Sequence, residues 1–112
     1  MPEGFGGLGL KVDYVVNLYV FDCDGTLEVS GGPVPLSFLD GLRGLGHPVC
    51  IVSPSPRCSN LPYEYHIGQD RLANLLDAKK AHPNCTFYYY FTDNPGEEGL
   101  GQSSGFTVVK VV

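Results

Sequence analysis

The chain has 112 residues, a formal net charge of −5, 43% hydrophobic and 17% charged residues. That length suits one domain around a single core, and the composition is globular rather than disordered. An acidic surface repels polyanions, which argues against nucleic acid as a partner, and no apolar run approaches the ~20 residues of a bilayer span. The opening Met1-Pro2-Glu3-Gly4 lacks the basic start of a secretory signal, so the expectation is a cytoplasmic protein without a membrane partner.

In chain order, Met1 to Leu10 carries Gly4, Gly6, Gly7 and Gly9 and reads as a flexible lead-in to a single domain over 1–112. Asp13 to Phe21 is strand-rich and longer than one strand needs. Val29 to Pro35 reads as a loop. Leu36, Leu39, Leu42 and Leu45 recur at helical spacing, with Gly46 as the stop. Val49 to Val52 is a buried-strand pattern ending at Ser53, and Pro54 and Pro56 block its continuation.

Tyr65 to Ile67 is a short third strand. Asp70 suits the N-cap of a helix from Arg71 to Ala81, with Leu72, Leu75, Leu76 and Lys79 on one face and Pro83 beyond its end. Thr86 to Phe91 is a fourth strand, half-buried rather than a base-stacking surface; Glu97 to Ser104 is a short helix and Phe106 to Val111 a fifth strand. Strands alternating with helices imply an α/β fold: a three-layer, Rossmann-like parallel sheet of about five strands, with its active edge at the strands' carboxyl ends. The stretch from Ser53 to Tyr65 is too short and proline-rich for a full crossover helix, and nothing in the length leaves room for a cap domain.

Chemistry concentrates where the first strand ends, in Leu18-Tyr19-Val20-Phe21-Asp22-Cys23-Asp24-Gly25-Thr26-Leu27. Along an ideal strand Asp22 and Asp24 share a face, and Gly25 permits a sharp bend. Paired carboxylates suit a hard divalent cation such as Mg²⁺. A calcium loop is ruled out by its spacing, because the glycine falls fourth and Pro33 stands twelfth. A surface turn with two capping aspartates is the structural alternative.

The segment Phe21-Asp22-Cys23-Asp24-Gly25-Thr26-Leu27 resembles the first motif of the haloacid dehalogenase (HAD) superfamily, most of whose members are Mg²⁺-dependent phosphohydrolases. The resemblance implies Asp22 as nucleophile, forming an aspartyl-phosphate, and Asp24 as general acid and base. It also implies the strand order 3-2-1-4-5. Ser53 stands where the family's second motif places a hydroxyl, and Tyr90-Phe91-Thr92-Asp93-Asn94-Pro95-Gly96-Glu97 resembles its fourth, with Thr92 for Gly and Glu97 for Asp. Asp22, Asp24, Asp93 and Glu97 would thus serve the metal, Glu97 through a water, while Thr26, Ser53 and Arg71 would serve the phosphate. Gly68-Gln69-Asp70-Arg71-Leu72 resembles the Asp-Lys helix start of capless members such as sugar-acid 8-phosphate phosphatases, with arginine for lysine; Arg57, Lys79 and Lys80 are the other basic candidates.

The expected activity is hydrolysis of a phosphomonoester on a small molecule or a macromolecule, in an open cleft that a second copy of the chain could cover. A catalytically weak or inactive binding or assembly module is the alternative, supported by the short chain, the missing lysine and the altered fourth motif. Phosphotransfer or mutase chemistry would share the same intermediate. Cys23, Cys50, Cys58 and Cys85 form no Cys-x-x-Cys pair and are expected as buried thiols, with a Cys58–Cys85 bridge left open. His47, His66 and His82 show no metal-ligand spacing and are expected to be structural or solvent-exposed.

Overall fold

The computed structural model describes residues 15–111, so the expected lead-in over 1–10 and the first residues of the expected Asp13–Phe21 strand lie outside the described residues. Five strands form one all-parallel sheet: β1 (Asn17–Asp22), β2 (Val49–Ser53), β3 (Glu64–Ile67), β4 (Phe87–Thr92) and β5 (Thr107–Lys110), in the order β3-β2-β1-β4-β5. The helices are α1 (Leu36–Gly44), α2 (Arg71–Ala81) and α3 (Leu100–Ser104). No helix among the described residues is long and apolar enough to cross a membrane.

Side-chain alternation along β1 creates two cores. Phe21 joins Leu39 and Leu42 of α1 with Val49 and Ile51 of β2 on one face. Leu18 and Val20 join Cys50, Val52 and Tyr90 with Leu75 and Ala78 of α2 on the other, against which Leu100 of α3 packs. The result is a three-layer arrangement in which a central strand is buried on both faces. Register also aligns aromatics across β1 and β4: Tyr19 stacks on Tyr89 with centroids 5.3 Å apart, and Phe21 on Phe91 at 4.7 Å. Such cross-strand pairs hold the sheet's centre in one register.

Three local expectations need correction. The helix expected over 97–104 is a 3-10 turn at Pro95–Glu97 followed by α3, because Gly99, a poor helix former, stands between them. The buried residues of α2 are Asn74, Leu75 and Ala78, whereas Leu76 is exposed; Asn74 earns no place by hydrophobicity but donates its amide to the Gly68 carbonyl at 3.1 Å. Asp70 caps α2 as expected, accepting the Ala73 N–H at 3.1 Å. The third correction concerns the cysteines: Cys23 and Cys58 form a disulfide with Cα atoms 6.2 Å apart, leaving Cys50 and Cys85 as free thiols.

That bridge ties the bend after β1 to the loop after β2 across 35 residues of sequence. Reducing it, or making Cys58→Ser, is expected to lower the unfolding free energy by about 2–4 kcal/mol in equilibrium urea denaturation, mostly through a less restricted unfolded chain. Thiol titration in denaturant checks the pairing, with two reactive thiols before reduction.

Candidate active site

β1 ends at Asp22, which is buried at the carboxyl edge of the sheet. A buried carboxylate needs partners, and α2 brings the first: Arg71, its opening residue, places Nη1 3.0 Å from Asp22 Oδ1. The backbone N–H of Cys23 donates to the same oxygen at 2.8 Å. Of the four basic candidates, Arg71 is thus the one the structure brings to Asp22.

Arg71 is itself held from β4. Its Nη1 also donates to the Tyr90 hydroxyl, which in turn donates to Glu97 Oε1 at 2.7 Å. Glu97 Oε1 lies 3.6 Å from Arg71 Nη1 and accepts the Thr92 hydroxyl at 2.7 Å. A hydroxyl has a single proton. Thr92 gives that proton to Glu97 and accepts the Asn94 N–H at 3.1 Å, so its 3.4 Å approach to Asp22 Oδ2 leaves that oxygen without a strong donor. Glu97 therefore positions Arg71, both directly and through Tyr90. Tyr90 and Thr92 were not among the residues expected at the site; their only sequence signal is a polar tip at alternate positions of an apolar strand leading to Asp93.

Two carboxylates share one guanidinium here, and the electrostatics follow. Burial pushes the Asp22 carboxyl from its ordinary 3.8 to about 6; Arg71 pulls it back down, while Glu97 adds to the rise. Burial raises the Tyr90 hydroxyl as well, so it stays protonated and able to donate. Burial alone would lower Arg71, but Tyr90, Asp22 and Glu97 outweigh it and keep the guanidinium charged.

The chain leaves the strand at Asp22, so strand alternation does not extend to Asp24. Asp24 is half exposed and pairs with Arg57, Nε to Oδ1 3.0 Å, in the loop that also carries Cys58. Gly25 turns the backbone with φ +75, and a Cβ there would stand 2.2 Å from Asp93 Oδ2. Asp93 is thus folded over the bend, secured by its N–H to Thr26 Oγ1 at 3.1 Å and by Thr26 Oγ1 to its Oδ1 at 3.4 Å. Thr26 and Ser53 are fully buried. Ser53 Oγ accepts the Ser55 N–H at 3.2 Å and shapes the turn out of β2. Lys79 sits elsewhere, on the Ser104 carbonyl at 3.2 Å and over the Tyr88 ring, and Lys80 is exposed.

The donor chemistry at this edge fits Mg²⁺: Asp22, Asp24 and Asp93 offer hard oxygens, and each commits one oxygen to a protein donor, the second being without a strong donor among the described residues. They do not bring ligand atoms within 4.8 Å of one another, as Cys50, Glu64 and His82 do at another place in the sheet. Glu97 commits its Oε1 to Arg71, Tyr90 and Thr92. No protein-family model matches the chain, and no curated protein or solved structure is significantly similar to it.

Because the Asp22 carboxyl titrates higher in the fold than in the unfolded chain, its proton stabilises the fold, and stability falls as pH rises from 3.8 to about 6. Asp22→Asn, which leaves Arg71 paired with Glu97, is expected to raise the unfolding free energy of the metal-free protein by about 1–3 kcal/mol at pH 8. The gain should vanish below the ordinary carboxylate range; urea melts at both pH values measure it. Gly25→Ala is expected to cost about 1–2 kcal/mol for the left-handed backbone and to displace the Asp93 carboxylate, visible as changed Asp93 and Thr26 NMR shifts.

Proposed function

We propose that the chain is a small, capless phosphomonoester hydrolase of the haloacid dehalogenase type, working through an aspartyl-phosphate on Asp22. The observation that carries this reading is the buried Asp22 at the carboxyl end of the central strand, in contact with Arg71, with Asp93 folded over the adjoining bend. The all-parallel order β3-β2-β1-β4-β5 agrees with the arrangement that the sequence motifs imply.

In this mechanism an Asp22 oxygen attacks phosphorus and the bond to the leaving oxygen breaks. With its carboxyl at about 6, Asp22 is mostly ionised at neutral pH and is a competent nucleophile. Arg71, oriented by Tyr90 and Glu97, stabilises charge on the phosphoryl oxygens. Asp24 lies one residue past the fixed Cys23 and gives its proton to the departing alkoxide. It then takes a proton from the water that attacks phosphorus, which cleaves the acyl-phosphate and returns Asp22 and inorganic phosphate. Asp22 and Asp93 would hold Mg²⁺, which supplies charge neutralisation between the carboxylates and the phosphate. For Asp24 to act, it has to leave Arg57, and both side chains are open enough to solvent that this ion pair is weak.

A second reading, a binding module without turnover, is favoured by the Asp24–Arg57 pair and by the separation of the carboxylates. Hydrolysis of an aryl phosphate with Mg²⁺ separates the two. The expected result is turnover that Asp22→Asn reduces at least about a thousandfold and Arg71→Ala by about a hundredfold or more. Absence of turnover across a panel of phosphomonoesters would assign the chain to the second reading.

A further inference from the structure

A second group of reactive side chains lies at the other end of the sheet. Cys50 is fully buried near the start of β2, on the face covered by α2. Its register partner on β3 is Glu64, the first residue of that strand. His82 follows α2 as its C-cap. One ligand atom from each of the three falls within 4.8 Å of the other two. Glu64 Oε1 meets His82 Nε2 at 2.7 Å, and its Oε2 meets His66 Nε2 at 2.6 Å. Among the described residues a cavity of about 590 Å³ opens beside His82, bounded also by His47, Pro48 and Cys85, so the imidazole can be reached from solvent.

This combination is not explained by the fold. A buried thiol facing a carboxylate stays protonated: burial and the nearby Glu64 both push Cys50 upward. Glu64 itself is lowered overall, because hydrogen bonds from His66 and His82 outweigh the upward pull of burial, and so remains a carboxylate. Sulfur, imidazole nitrogen and carboxylate oxygen are the donor types of zinc sites, whereas Mg²⁺ prefers oxygen alone.

We propose that Cys50, Glu64 and His82 form a site for a borderline-soft divalent cation, Zn²⁺, with three protein ligands and a fourth position open to water. On binding, the sulfur–metal bond forms as the Cys50 proton leaves to solvent. The site is independent of the carboxylate edge at Asp22 and of the activity proposed there. Its position in the fold makes it a clip: it joins β2, the outer strand β3 and the end of α2, and β3 is the strand that no helix precedes in its crossover from β2.

Titration of the protein, free of reductant, with Co²⁺ as optical stand-in tests this. The expected result is one thiolate-bound ion per chain, with a thiolate-to-cobalt charge-transfer band and the strong visible absorption of a four-coordinate site. Zn²⁺ should abolish both, and excess Mg²⁺ should leave them. Glu64→Gln and His82→Gln should each weaken binding at least about tenfold, and Asp22→Asn should not. His82 lies at a helix end, so His82→Gln reports on the site even where Cys50→Ser fails to fold. Absence of the charge-transfer band, affinity unchanged in both Glu64→Gln and His82→Gln, or binding lost in Asp22→Asn would overturn the proposal.

Discussion

The buried contact between Asp22 and Arg71 governs the carboxyl edge of this fold. A carboxylate at the tip of the central strand is costly unless a cation reaches it, and the first turn of α2 is where the chain supplies one. Everything around that contact serves to fix the guanidinium. Tyr90 accepts from it, Glu97 accepts from Tyr90 and Thr92, and the 3-10 turn that begins at Pro95 places Glu97. The opposite face of the bend is fixed covalently, since Cys23 is bonded to Cys58. Asp22 is thereby held from both sides, by charge on one face and by sulfur on the other.

This division follows from strand alternation. Cys23 extends the α1-side core with Phe21, while Asp22 takes the α2 side with Val20 and meets Arg71 there. Asp24 lies beyond the last strand residue, so its direction is set by the Gly25 turn and by Arg57 instead. The same loop therefore carries one strongly held acid and one loosely held acid. Under the proposed mechanism that difference matches the roles: a nucleophile that stays still and an acid–base group that moves.

The sheet was largely readable because its signals are local. An apolar run ending in Asp22 marks β1, an apolar β-branched run stopped by Pro54 marks β2, and Asp70 marks the start of α2. The placement of Arg71 beside Asp22 was anticipated only through family resemblance, since no spacing rule links positions so far apart. The disulfide and the Cys50, Glu64 and His82 group were illegible for the same reason: Cys23 and Cys58 meet only after β1 pairs with β2, and Cys50, Glu64 and His82 only after β2 pairs with β3 and α2 folds back. Histidines that look scattered along the chain become neighbours of one carboxylate. The split of the 97–104 segment reflects glycine content that helical periodicity alone underweights.

The outermost strands carry a further consequence. β3 and β5 are each four residues long and exposed at both ends, with Glu64 on one and Lys110, 3.6 Å from Glu98, on the other. Open backbone edges invite strand addition from other chains, and short edges bearing charge discourage it. A sheet so rich in aromatic and β-branched residues at its centre is thereby shielded from growing sideways into an aggregate.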